Sequence, residues 1–121
     1  MIELYINGSG VITVQDTYKE RDLFSELKDA EESVYKVSAP LYKEYIDPRQ
    51  ARRMSRILKM SITAAKIALR DADVELPDAI LTGTGLGCLQ DTIKFMDSIV
   101  DNYEKLLNPA PFIQSTHNTI S

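Results

Sequence analysis

Residues 48–72 read PRQARRMSRILKMSITAAKIALRDA, and this stretch decides how the rest of the chain is understood. Asp47 precedes Pro48, the pattern of a capping residue followed by a first-turn proline. Helical steps of 100° place Ala51, Met54, Leu58, Ala65, Ala68, Leu69 and Ala72 on one face. The seven bases of the stretch (Arg49, Arg52, Arg53, Arg56, Lys59, Lys66 and Arg70) fall in an arc of roughly 140° on the opposite face. Ala64, Ala65, Ala68 and Ala72 are small enough to let a neighbouring element come close. Ser55 is itself a good cap, and a break there would shift the phase of the first turn.

Charge is unevenly spread around this helix. Residues 1–47 carry ten acids and five bases, and residues 71–121 carry eight acids and two bases. Residues 48–70 carry seven bases and no acid. Like charges at i, i+3 and i+4 repel one another, and nothing inside the segment offsets them. A negatively charged partner, or acids elsewhere in the fold, would do so; a plain solvated face is the alternative.

Outward from the helix, the pattern turns to short apolar runs. Residues 2–6 alternate and predict a strand. Asn7-Gly8-Ser9-Gly10 and then Val11-Ile12-Thr13-Val14 suggest a hairpin or a kinked strand. Leu23, Phe24 and Leu27 predict a short helix within residues 16–33. Residues 34–47, with three tyrosines and Pro40, predict a loop-like connection. Ala79-Ile80-Leu81-Thr82 predicts a strand that enters Gly83-Thr84-Gly85-Leu86-Gly87. Leu89, Ile93, Met96, Val100, Tyr103 and Leu107 step by 4, 3, 4, 3 and 4, a helix that Asn108-Pro109-Ala110-Pro111 would stop. A further helix capped near Asn118 could follow. The order strand, helix, strand, helix predicts an α/β fold with a short, partly parallel sheet.

Composition sets the outer limits. The chain has 121 residues, 44% hydrophobic and 26% charged, an ordinary globular balance for one domain. A net charge of −4 argues against general nucleic-acid binding. No apolar run approaches the roughly 20 residues that span a bilayer, and Met1-Ile2-Glu3 lacks the basic start of a signal peptide. A single cysteine excludes an internal disulfide and fits a reducing, cytoplasmic setting.

The motifs that could carry chemistry are few. The glycine loop lacks the sixth-position glycine or alanine of a dinucleotide fingerprint, because Cys88 stands there, and it lacks the Gly-Lys-Ser/Thr of a P-loop. Its structural alternative is a tight strand-to-helix turn where a side chain would clash. Cys88 lies near a helix N-terminus, where a thiolate can be favoured, and His117 is the one candidate base; a small buried residue is the alternative. One histidine and one cysteine cannot build a typical zinc site, so no metal and no cofactor is expected.

Together these segments resemble the N-terminal part of a β-ketoacyl synthase of the thiolase-like superfamily. Tyr5-Ile6-Asn7-Gly8-Ser9-Gly10-Val11-Ile12-Thr13 resembles the family's first strand with its Gly-x-Gly turn. Arg52-Arg53-Met54-Ser55-Arg56 and Ala64-Ala65-Lys66-Ile67-Ala68-Leu69-Arg70-Asp71-Ala72 resemble its Arg-Met-Asp/Ser helix, with Asp73 where a glycine usually ends it. Gly83-Thr84-Gly85-Leu86-Gly87 matches its glycine-rich strand end, except that Cys88 replaces the last glycine. Residues 111–118 resemble the Pro-Phe segment before the family's nucleophile. The match runs in order, with a poor stretch at residues 15–45.

The resemblance implies that residues 1–121 are the N-terminal portion of a thiolase-like fold, a short mixed sheet with packing helices, and an incomplete thiolase-like domain. It implies a decarboxylating condensation of acyl thioesters in fatty-acid or polyketide-type biosynthesis. The family's catalytic cysteine and histidines lie beyond the equivalent of Ser121, so no catalytic residue transfers, and the chain is not catalytic by itself. Cys88 aligns with a structural glycine. The family receives its acidic acyl-carrier protein, with its phosphopantetheine-linked acyl groups, on basic residues near the start of this helix. Arg49, Arg52 and Arg53 hold the matching positions, with Arg56 and Lys59 next along the face. The family also implies a homodimer or a heterodimer with a ketosynthase. The alternatives are a non-catalytic ketosynthase-like partner subunit and a stand-alone module that binds an acidic carrier protein.

Overall fold

The computed structural model describes residues 3–18, 33–103, 105, 107–116 and 119. Among the described residues four α-helices follow one another: α1 (Pro48–Ala51), α2 (Arg56–Asp71), α3 (Leu89–Asp101) and α4 (Pro109–Ser115). A single 3-10 turn, Tyr42–Glu44, precedes them. The chain exposes 10274 Å², where a compact monomer of its mass would expose about 6,600 Å². Among the described residues only Ile46 and Cys88 are buried hydrophobic side chains.

Residues 48–72 form two helices, with the break at Ser55. The Asp47 carboxylate accepts from the backbone N–H of Arg49 at 2.8 Å and of Gln50 at 3.3 Å. The Ser55 hydroxyl accepts from Leu58 N–H at 3.3 Å and starts α2. Each cap satisfies donors that a helix start leaves free. At the other end, Val74 N–H reaches Leu69 C=O at 3.0 Å and Asp73 N–H reaches Arg70 C=O at 3.3 Å. This double closure needs a left-handed residue, and Asp73 supplies it at φ 54°. It is the position where the resemblance expects glycine.

The alanine face of α2 receives the Asn7–Gly10 segment. A Cβ on Gly8 would collide with Ala68 O and lie 2.5 Å from Ala72 N. A Cβ on Gly10 would collide with Ala64 O and lie 2.8 Å from Ala68 N. Two residues of extended chain span at most about 7 Å, and one helical turn rises about 5.4 Å, so alternate glycines can meet successive turns. Ser9 N–H adds a hydrogen bond to the Asp71 carboxylate at 3.1 Å.

Residues 37–45 run along the opposite face. The Arg56 guanidinium approaches Val37 C=O at 3.5 Å, and Lys66 Nζ donates to Tyr45 C=O at 2.6 Å. The Arg70 guanidinium stacks 5.0 Å from the centre of the Tyr45 ring. The segment therefore runs in the same direction as α2. Thr63, on the same arc, is fully buried, at 0% exposure.

The α/β expectation is corrected: among the described residues there is no strand and no sheet. Residues 3–14 and 79–84 have the composition of strands but no ladder partner. One backbone bond, Ser38 N–H to Thr13 C=O at 2.8 Å, is the nearest approach to pairing in the first run. A strand exists only as part of a ladder. Without one, Leu4 (90%), Ile6 (92%) and Leu81 (99%) stay exposed. Asn7–Gly10 is thus a helix contact, not a hairpin turn.

Two helix boundaries also move. α3 stops at Asp101, capped by Asn102, and Tyr103 takes φ 49°. The apolar stepping continues to Leu107, but the helix does not. Pro109 does not merely stop a helix; it starts one. Asn108 Oδ1 accepts from Ala110 N–H at 3.0 Å, and the proline occupies the first turn, where its missing N–H costs nothing. Phe95 of α3 and Phe112 of α4 pack with ring centres 5.2 Å apart. The helix expected around Leu23, Phe24 and Leu27, and the start near Asn118, lie outside the described residues.

Candidate functional site

The α1–α2 turn and the α3–α4 pair enclose a groove of ≈760 Å³. Gln114 of α4 donates to Arg53 C=O and ties the two halves together. Arg52, Arg53, Arg56 and Lys59 line one side, Gln90 and Lys94 the other, and Met54, Ala110 and Ile113 add apolar surface. Asp91 also lines the groove, with a buried carboxylate held by Lys94 at 3.4 Å. Its place in the first turn of α3 suits the positive end of that helix.

Four of the five docking residues expected from sequence therefore converge on one concavity. Arg49 does not; it stands exposed on α1, outside the lining. The side chains of Arg52, Arg53 and Lys59 have no hydrogen-bond or ion-pair partner among the described residues. The basic arc is thus split along its length. Its rear cations, Lys66 and Arg70, are engaged by Tyr45, while its front cations face the groove. Lys94, Gln90 and Gln114 were not foreseeable as groove residues. They lie far along the chain, and only the docking of α4 on the Arg53 turn brings them there.

Cys88 caps α3 and is 3% exposed. Its thiol lies 3.8 Å from Thr116 C=O. Burial first, and the Asp91 carboxylate second, push the thiol above its ordinary range. That is the opposite of what a nucleophile needs. His117, the candidate base, lies outside the described residues. Cys88 behaves as a small buried residue.

The glycine loop does not form the tight packed turn expected of it. A Cβ on Gly83 or Gly85 would meet nothing within 4 Å. Gly87 alone takes a positive φ, 55°, and its N–H bonds the Thr84 hydroxyl at 2.9 Å. Beside the loop, Ile57, Leu58, Ile62 and Ala65 of α2 face Ile80 and Leu81 across an open apolar groove of ≈610 Å³. Among the described residues no group of three or more His, Cys, Asp or Glu could hold a metal ion. No helix among them is long and apolar enough to cross a membrane.

No family model, no curated protein and no solved structure matches this chain.

Proposed function

We propose that this chain is a non-catalytic, carrier-docking portion of a β-ketoacyl-synthase-like protein of fatty-acid or polyketide-type biosynthesis, working in the cytoplasm. Its partner is an acidic acyl-carrier protein, which docks on the groove bearing Arg52, Arg53, Arg56 and Lys59. The single observation that carries the reading is that these cations converge on one groove and three of them have no partner among the described residues. Charge complementarity speeds and orients such docking, and salt weakens it. Burial and the Asp91 carboxylate push the Cys88 thiol up, which disfavours a thiolate nucleophile at that position. The order of motifs resembling that family points to a carrier protein as the acidic partner.

A second reading keeps the same family and makes the chain part of a silent subunit paired with an active ketosynthase. The exposed Leu4, Ile6, Ile80 and Leu81 favour it, because a subunit surface would cover them.

Titration of an acyl-carrier protein against the chain, followed by fluorescence anisotropy, tests the docking. Arg52→Glu with Arg53→Glu should weaken binding by at least tenfold without changing the far-ultraviolet circular dichroism. Unchanged affinity in that double variant would remove the docking proposal.

A further inference from the structure

Charge of opposite sign gathers at the start of α2 and just past its end. At its start lies the basic groove. Just past its end come Asp73-Val74-Glu75-Leu76-Pro77-Asp78, exposed throughout. The carboxylates of Asp73, Glu75 and Asp78 have no hydrogen-bond or ion-pair partner among the described residues. Leu76 is also exposed among them.

These charges cannot meet within one molecule. The sixteen residues of α2 separate them by about 24 Å at 1.5 Å per residue. At about 0.1 M salt the Debye length is near 10 Å, so neither end feels the other. A second copy has no such restriction. Its acidic segment offers three carboxylates around one leucine. The groove offers four cations, Arg52, Arg53, Arg56 and Lys59, around Met54, Ala110 and Ile113, with Lys94 already paired to Asp91. Sign and apolar content correspond on both sides.

We infer that the chain associates head to tail, with the 73–78 segment of one copy seated in the basic groove of the next. Such a contact joins two different patches, so it generates chains or rings, not an isologous pair. It also makes the acidic segment a competitor for the surface that the carrier protein would use. The inference rests on the groove proposed above as an acidic-protein site, but not on the carrier protein being its partner.

Sedimentation equilibrium of the full chain tests it. The weight-average mass should rise with concentration at about 0.01 M salt, where the Debye length is ~30 Å, and return to monomer at about 1 M, where it is ~3 Å. Glu75→Lys with Asp78→Lys should abolish association, and so should Arg52→Glu with Arg53→Glu. Mixing the two variants one to one should restore pairing, because the segment variant keeps the native groove and the groove variant keeps the native acidic segment. A monomer at every concentration in low salt overturns the inference. So does association that persists in both variants or survives high salt. Glu75 and Asp78 lie outside every helix, so the tail variant keeps the test decisive if the groove variant fails to fold. Titrating the tail variant with the acyl-carrier protein separates the two ideas. Retained carrier binding with a monomeric native chain leaves the docking standing and removes the self-association; the converse result does the reverse.

Discussion

The two broad faces of α2 are held by different kinds of contact. On the alanine face, Gly8 and Gly10 rest on backbone atoms of Ala64, Ala68 and Ala72, with no room for a side chain. On the basic face, Arg56, Lys66 and Arg70 reach across to the 37–45 segment through long side chains, and what they find is a carbonyl or a ring. The first contact is fixed by shape, and backbone cannot move aside. The second is fixed by flexible arms, which can swing to another acceptor. One face should therefore fail abruptly under substitution and the other gradually.

The largest effect is expected at the glycines. Gly10→Val forces two methyl groups into the Ala64–Ala68 backbone and should cost at least about 1–3 kcal/mol by urea denaturation. Gly85→Ala, placed in open space, should stay within about 0.5 kcal/mol and serves as the control. Equal costs at both positions would erase the contrast between the faces. A smaller loss is expected across the basic face. Tyr45→Ala removes the ring under Arg70 and should cost about 0.5–1 kcal/mol, whereas Tyr45→Phe keeps the ring and should cost less. A Tyr45→Ala loss as large as that of Gly10→Val would mean that both faces are rigid.

The smallest effect belongs to a residue on neither face. The Cys88 thiol is raised in the folded chain by burial and by Asp91. In the unfolded chain it titrates near its ordinary value of about 8.5. The unfolded state then loses its proton first. The contribution to stability is complete below that value and is lost as pH rises through the higher folded value. The urea midpoint should fall over this alkaline window in the native chain, and Cys88→Ser should flatten that part of the profile. An identical decline in Cys88→Ser would assign the effect to other groups.

What sequence made legible was short in range. The caps at Asp47 and Ser55 follow from residue type two or three positions from the donors they satisfy. The small-residue face of α2 announced a close neighbour, and the Gly-x-Gly pair was visible too; their meeting was not, because it joins positions some sixty residues apart. The strands failed for the same reason in reverse. Alternation at 2–6 and the apolar run at 79–82 describe side chains, whereas a strand is defined by a backbone partner that no local pattern supplies. The sequence shows the basic arc as charge but does not divide it into two regions. Only the path of residues 37–45 divides Lys66 and Arg70 from Arg52, Arg53 and Lys59. Pro109 illustrates a sign error of another kind. A proline ends one helix and suits the first turn of the next, and which role it plays depends on the cap before it.

The glycine contact also has a consequence in time. Ser9 and the residue it bonds on α2, Asp71, are separated by 62 positions. A ribosome adding about 5–20 residues per second takes roughly 3–12 s to travel that distance. Throughout that interval Leu4, Tyr5 and Ile6 have been synthesised, while the alanine ridge that receives their neighbours has not. Of the two partners, the segment carrying Gly8 and Gly10 is thus made first and waits for the ridge. Chaperones that shield exposed apolar segments would act on residues 4–6 during that interval.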